Sequence, residues 1–177
     1  MVIELRKSRF EDIPSFVLYE STPETSDFII PYTSDKHHEE MNNSNINYLS
    51  IFSEGALSGF IILVKSSSRC IELRRLVVDK RGHGLGQEAL KLLESYCINE
   101  LNTKRIWLDV FSSNKRGLHI YNKLGYSQFK VGEHNGKSLL FFRKNVLTNA
   151  STRFTTLGKL SLPSVYRFNT SILIMIE

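Results

Sequence analysis

The sequence predicts a mixed α/β (α+β) fold, a central mixed, mostly antiparallel twisted sheet with helices on both faces, and three observations carry this reading. Short runs rich in β-branched and aromatic residues recur along the chain, bounded by glycine, serine and asparagine turns. Two segments, residues 86–101 and 115–124, place apolar side chains at helical spacing instead. Between residues 70 and 110 the order is strand, loop, helix, strand. Such a crossover joins parallel neighbours, so one parallel pair is expected within an otherwise antiparallel sheet.

Each element has its own signal. Residues 2–7 read as a strand, and Ser8-Arg9-Phe10-Glu11 has the capping-box pattern that starts a short helix carrying Ile13, Phe16, Val17 and Leu18. Residues 21–45 are polar and acidic, are punctuated by Pro23 and Pro31, and hold one expected helix over residues 35–41. This stretch reads as a variable, substrate-side segment. Strands are expected at residues 47–53, 57–65 and 70–78, joined by Glu54-Gly55-Ala56 and Ser66-Ser67-Ser68 as an antiparallel meander. The helix of residues 86–101 carries Ala89, Leu90, Leu92, Leu93, Tyr96, Cys97 and Leu101 on one stripe. A strand over residues 105–110, a helix over 115–124 stopped by Gly125, and a hairpin of 126–131 and 137–144 around Asn135-Gly136 complete the order.

The chain has 177 residues, 41% hydrophobic and 23% charged, which suits one core and needs no second one. A domain is expected over residues 1–146. Residues 147–177 break style, with Ser/Thr-rich sequence and a terminal apolar run, Ile172 to Ile176. This extension reads equally as an extra strand, a surface packed across a homodimer, or a tail without a fixed place. The N-terminus has no signal-peptide pattern and no apolar run reaches membrane-spanning length, so a soluble cytoplasmic protein without a membrane partner is expected. Cys70 and Cys97 read as small core hydrophobes.

The formal net charge of +5 hides an asymmetry: residues 1–54 hold four basic and ten acidic side chains, residues 55–177 nineteen and eight. The basic part suits a polyphosphate-bearing ligand, and the acidic part, with Glu20, Glu24, Asp27, Asp35, Glu39 and Glu40, suits a cationic amine. His37 and His38, beside Glu39 and Glu40, read as a solvated helix surface. No dense basic run, zinc-finger spacing or aromatic-basic RNA motif points to nucleic acid, and no histidine or cysteine cluster has metal-ligand spacing.

The most informative segment runs from the strand Leu76-Val77-Val78 through Gly82, Gly84 and Gly86 into the long helix. Glycines let successive N–H groups line one concavity, and a helix start adds its positive dipole end. A P-loop would need Gly-Lys-Ser/Thr where Gln87-Glu88 follows Gly86, and a dinucleotide site would need its glycines in the first strand-turn-helix unit. Neither fits.

Three matches in order give the chain a resemblance to the GNAT superfamily of N-acetyltransferases. Leu76-Val77-Val78 is followed by Arg81-x-x-Gly84-x-Gly86; Asn114 is followed by Tyr121; and Leu124-Gly125-Tyr126 closes the second helix. The similarity covers residues 2–144 and is nearest to the small-amine and ribosomal-protein N-terminal branches, where a strand like Ile71 to Arg75 is also familiar. The resemblance implies an N-acetyltransferase with acetyl-CoA as co-substrate and no metal. It implies that Leu76, Val77 and Val78 pair with the pantetheine arm, that Arg81, Gly82, His83, Gly84, Leu85 and Gly86 hold the pyrophosphate, and that Asn114 bonds the arm. His83 taken singly reads as an exposed turn histidine.

The same resemblance assigns one backbone N–H, of Val77 or Val78, to the acetyl carbonyl, and Tyr121 to protonation of the departing thiolate. Two carboxylates compete as general base, Glu72 and Asp109, with Glu72 preferred. Glu72 alternates onto the same face as Arg74 and also reads as an ion pair; Asn114 also reads as a helix cap. The acceptor is read as a small cationic amine or a protein or peptide amino terminus. The reading from another class is a non-catalytic acyl-CoA sensor.

Overall fold

β-Branched and aromatic runs form seven strands in this computed structural model, which describes residues 2–79 and 84–146. Arg81, Gly82 and His83 of the glycine segment and the extension 147–177 lie outside the described residues. The strands are β1 (Ile3–Lys7), β2 (Ile46–Ser53), β3 (Ala56–Ser67), β4 (Cys70–Val78), β5 (Arg105–Phe111), β6 (Ser127–His134) and β7 (Lys137–Asn145). They form one sheet in the order β1-β2-β3-β4-β5-β7-β6. Only β4 and β5 pair in parallel among them, across the crossover helix. The tight turns Glu54-Gly55 and Asn135-Gly136 have positive φ at both residues, as a type I′ hairpin turn requires.

The helices are α1 (Ile13–Ser21), α2 (Pro23–Ser26), α3 (Ser34–Met41), α4 (Leu85–Asn99) and α5 (Lys115–Lys123). The single turn α2 was not expected from the sequence; Pro23 opens it with its φ already fixed for a first helical position. The start of α1 also differs from expectation. Ser8 caps nothing; its hydroxyl meets Ser50 Oγ at 2.8 Å, while Asp12 Oδ2 takes the Arg9 N–H at 3.0 Å around a 3₁₀ turn, Phe10–Asp12. The capping pair is therefore one residue later than the Ser-x-x-Glu pattern.

Two cores follow from the alternation of strand residues. Leu63, Leu73, Leu76 and Val78 join Ala89, Leu90, Leu93 and Ile120 from α4 and α5 on one face, and Phe60, Ile62 and Val77 join Ile13 and Phe16 of α1 on the other. Leu73 and Leu76 lie three residues apart on one face, which plain alternation forbids. A β-bulge resolves this: Leu63 pairs with Leu73 and Ile62 with Arg75, leaving Arg74 as the extra residue. Without it, Arg75 would be driven into the α4 core.

Gly59 on β3 is dictated by close approach. A Cβ there would fall well inside contact distance of the Val77 carbonyl oxygen and 3.0 Å from Val78 Cα, both backbone atoms that cannot swing aside. Gly59→Ala is therefore expected to cost about 1–3 kcal/mol of stability and to weaken coenzyme A binding by distorting the β4 edge. Urea unfolding and calorimetry with coenzyme A check both effects; unchanged stability would show that β4 yields freely.

Candidate active site

β4 and β5 pair only from Cys70–Arg105 to Glu72–Trp107, after which β5 continues against β7 as far as Phe111 while β4 continues against β3 as far as Val78. The two parallel strands thus diverge, and the β5-facing edge of β4 after Glu72 meets no strand among the described residues. Which groups lie on that edge follows from alternation. Asp79 N donates to Ser58 O at 2.8 Å, and Val77 O lies against Gly59, so Val77 and Asp79 turn toward β3. The Val78 N–H between them turns to the open edge, together with that of Leu76. Of the expected pair Val77 and Val78, it is Val78 whose N–H turns to the open edge.

The described end of the glycine segment leads directly into α4. Gly84 has φ +71 as the residue before α4, a left-handed conformation that glycine adopts without a Cβ penalty. The α4 ladder begins with Glu88 N to Gly84 O at 3.1 Å, so the N–H groups of Leu85, Gly86 and Gln87 precede it at the positive end of the helix dipole. Gly84 has no side chain with which to cap them. Leu85 and Gly86 are buried against the sheet.

Of the two roles expected of Asn114, the structure shows the helix cap. The Asn114 Oδ1 accepts the Gly117 N–H at 2.8 Å, which caps α5, and its buried Nδ2 has no hydrogen-bond partner among the described residues. A Cβ at position 117 would stand 3.0 Å from the Asn114 amide, so Gly117 makes room for the cap. Tyr121 is fully buried, and its hydroxyl likewise has no hydrogen-bond partner among the described residues. The Leu124-Gly125-Tyr126 sequence fixes it: Gly125 has φ +84, Gly125 N donates to Asn122 O at 3.0 Å, and Tyr126 N donates to Tyr121 O at 2.9 Å, the reciprocal bonds of a Schellman stop. Burial, with a smaller contribution from the charge of Asp109, pushes the Tyr121 phenol well above its ordinary pKa. It remains a proton donor at neutral pH.

The two candidate bases sit in unlike settings. Glu72 is nearly buried and receives Arg74 through Nε at 3.1 Å and Nη2 at 3.3 Å. Arg74 also donates Nη1 to Glu40 at 3.1 Å, and Glu40 takes Lys36 at 2.9 Å, so α3 is tied to β4 by alternating charges. Asp109 is buried on β5, and its pKa stands well above the ordinary carboxylate range. Burial is the main cause and the charge of Glu72 the next; its own backbone amide and Arg74 act in the opposite direction.

Part of the acidic segment is not surface. Glu20 is buried, with Oε1 2.6 Å from Arg75 Nη1 and Oε2 accepting the Tyr32 N–H at 2.5 Å. His37 is also fully buried, against the expectation of a solvated helix surface: Nδ1 meets the Tyr48 hydroxyl at 3.2 Å and rings of Phe16, Tyr32 and Phe60 surround it. Burial first, then the Arg75 charge, lowers its pKa to about 3, so it is neutral. His38 and Glu39 are solvent-facing, as expected. The sequence signal for this cluster was the Arg74-Arg75 pair inside an apolar strand, which needs buried carboxylates.

Comparison with known proteins places this geometry. The family model described as acetyltransferase (GNAT) family matches residues 11–126. An N-acetyltransferase 9-like protein of Nematostella vectensis is 33% identical over 87 residues, covering 49% of this chain and 44% of that one. The spermidine N(1)-acetyltransferase of Escherichia coli strain K12 is 30% identical over 97 residues, 53% of this chain and 52% of the other. The chain thus spans about half the length of these curated relatives. Among solved structures, spermidine N-acetyltransferase from Vibrio cholerae in complex with CoA and spermine superposes with a TM-score of 0.72 at 17% identity, covering 81% of this chain and 95% of that one. The ribosomal-protein-S18-alanine N-acetyltransferase from Escherichia coli gives 0.70 at 14% identity, covering 87% and 100%. These two likenesses establish the shared fold.

Proposed function

The chain belongs to the acetyltransferase (GNAT) family, and from that premise we propose that it moves the acetyl group of acetyl-CoA to a primary amine by direct attack within a ternary complex. The observation that carries the proposal is the diverging β4 edge, which turns the Val78 N–H away from β3 in a protein that also buries the polar groups of Asp109, Asn114 and Tyr121. These residues fit the ligand. An amide-bearing arm pairs with a free strand edge as an added strand, Asn114 Nδ2 supplies a donor for it, and the α4 N–H groups suit the pyrophosphate. Bound acetyl-CoA supplies the acetyl thioester.

The protein's own groups divide the chemistry. Asp109, a stronger base than an exposed carboxylate, takes a proton from the acceptor ammonium, directly or through water, and the free amine then attacks the acetyl carbonyl. The Val78 N–H donates to the carbonyl oxygen as charge develops on it. Tyr121 gives its proton to the departing sulfur. Glu72, held by Arg74, tunes Asp109 in this scheme, which reverses the preference drawn from the sequence. Cys97 is a buried thiol pushed up to about 12, so it is no acetyl carrier, and a reducing cytoplasmic setting suits the two free cysteines. A non-catalytic acyl-CoA sensor would need neither Asp109 nor the Tyr121 hydroxyl, and the relatives are named as enzymes.

Mixing the protein with acetyl-CoA and an amine panel is expected to release free thiol; binding without release would favour the sensor. Tyr121→Phe is expected to lower kcat about 100-fold with coenzyme A affinity nearly intact. An equally active variant would make the tyrosine purely structural.

A further inference from the structure

Beyond the catalytic carboxylates, the half of the sheet formed by β5, β7 and β6 carries aromatic rings on the same face as Asp109. Register sets this out: Trp107 lies opposite Glu72 on one side and Arg143 on the other, and Asp109 lies opposite Phe141. Trp107 and Phe141 stack with centroids 6.4 Å apart, and Phe129 meets Phe141 edge-on at 6.2 Å. Phe129 reaches this face because β6 carries a bulge between Gln128 and Lys130. The indole N–H of Trp107 donates to Ser66 Oγ at 2.9 Å, which fixes the ring. Phe141 is buried, whereas Trp107 and Phe129 are half-buried and form the outer surface.

Cations already stand over these rings. Arg143 Cζ is 5.0 Å from the Phe129 centroid, and Lys130 Nζ is 5.0 Å from that of Phe141. Their positive charge occupies the ring faces on which a second ammonium would otherwise rest. Two of the six acidic side chains that suited a cationic amine from sequence are also committed elsewhere, Glu20 to Arg75 and Glu40 to Arg74 and Lys36.

We propose that this face is the acceptor subsite, and that it selects a primary amine carried on an apolar, ring-bearing body with a carboxylate, in preference to a polyamine. The apolar body lies along Trp107 and Phe129, the carboxylate faces Lys130 and Arg143, and the amine reaches Asp109 on the same strand. This subsite rests on the acetyltransferase reading and narrows its acceptor. The chemistry is shared by an aromatic amino acid and by the amino terminus of a peptide with an aromatic first and an acidic second residue.

The test measures thiol release by the full chain with saturating acetyl-CoA and four acceptors: phenylalanine, a phenylalanyl-glutamate dipeptide, phenethylamine and spermidine. Both carboxylate-bearing acceptors are expected to exceed phenethylamine in kcat/KM, and spermidine to be the poorest; the better of the first two identifies the source. Lys130→Glu is expected to raise KM for the carboxylate-bearing acceptors about fivefold at unchanged kcat and to lower it for spermidine. Preference for spermidine, or no response to Lys130→Glu, overturns the subsite while leaving acetyl transfer in place. Calorimetry on the coenzyme A-loaded protein separates the remaining cases: dipeptide binding without turnover sinks the acetyltransferase reading and keeps the subsite, and neither binding nor turnover sinks both.

Discussion

Replacing Arg75 with alanine is expected to lower the free energy of unfolding by about 3–5 kcal/mol, the cost of stranding a buried charge whose partner has gone. Arg75 is only 1% exposed and Glu20 is fully buried, so water cannot take over from either partner. Besides its 2.6 Å contact with Glu20, the guanidinium donates Nη2 to Ile30 O at 2.7 Å and lies 3.8 Å from the Tyr32 ring centroid. The same truncation therefore frees the Ile30–Tyr32 backbone that joins α2 to α3. His37 gives no help, since its pKa near 3 leaves it neutral and only 3.7 Å from Glu20. Burial raises the pKa of Glu20 in spite of Arg75, and without Arg75 the carboxyl is expected to take up a proton on folding. Urea unfolding across pH checks this. Stability of Arg75→Ala should improve relative to wild type as pH falls toward the raised Glu20 pKa, because the folded variant then binds the extra proton. A double variant, Arg75→Met with Glu20→Gln, should recover part of the loss; equal loss in both would assign the cost to lost volume and not to charge.

How much of this was legible in the sequence depends on whether the signal was local. The order of strands and principal helices, the Asn135-Gly136 hairpin and the Gly125 stop all follow from period and turn chemistry within a few residues. The Leu124-Gly125-Tyr126 sequence even encodes how Tyr121 is held, because a Schellman stop is written in consecutive residues. The bulge at Arg74 was not legible in register: alternation is a property of one strand, and where it slips depends on the partner β3. That slip decides the fate of Arg75, and through it that of Glu20, read from the sequence as part of an amine-binding acidic set, and of His37, read as a solvated helix surface. Polarity in residues 20–45 likewise did not distinguish an acidic surface from the Glu20 and Glu40 carboxylates folded inward to meet two strand arginines. The Asp12 cap was missed by one residue because a 3₁₀ turn precedes α1.

Asp109→Asn should be the more damaging change at the site, lowering kcat/KM by about 10²–10⁴-fold, the range for removal of a general base, with little effect on stability or on coenzyme A affinity. The pH profile carries the sharper test. A base must be ionised to act, so the rate falls as pH drops through its pKa, and a raised pKa places that limb above the ordinary carboxylate range. Because the charge of Glu72 contributes to the shift, Glu72→Gln should retain most activity and move the limb to lower pH. Arg74→Gln should move it the other way, since the arginine charge favours the ionised form of Asp109. Of the other groups tied to this array, the Lys36 cation of α3 should follow Arg74 in sign, whereas the Glu40 carboxylate should act in the direction of Glu72. If Glu72→Gln instead abolishes turnover while Asp109→Asn is tolerated, the roles exchange and Glu72 is the base. Opposite displacements of one limb by two neighbours that never touch the acceptor would fix the titrating group as Asp109, because no other described carboxyl combines burial on β5 with the charges of both Glu72 and Arg74.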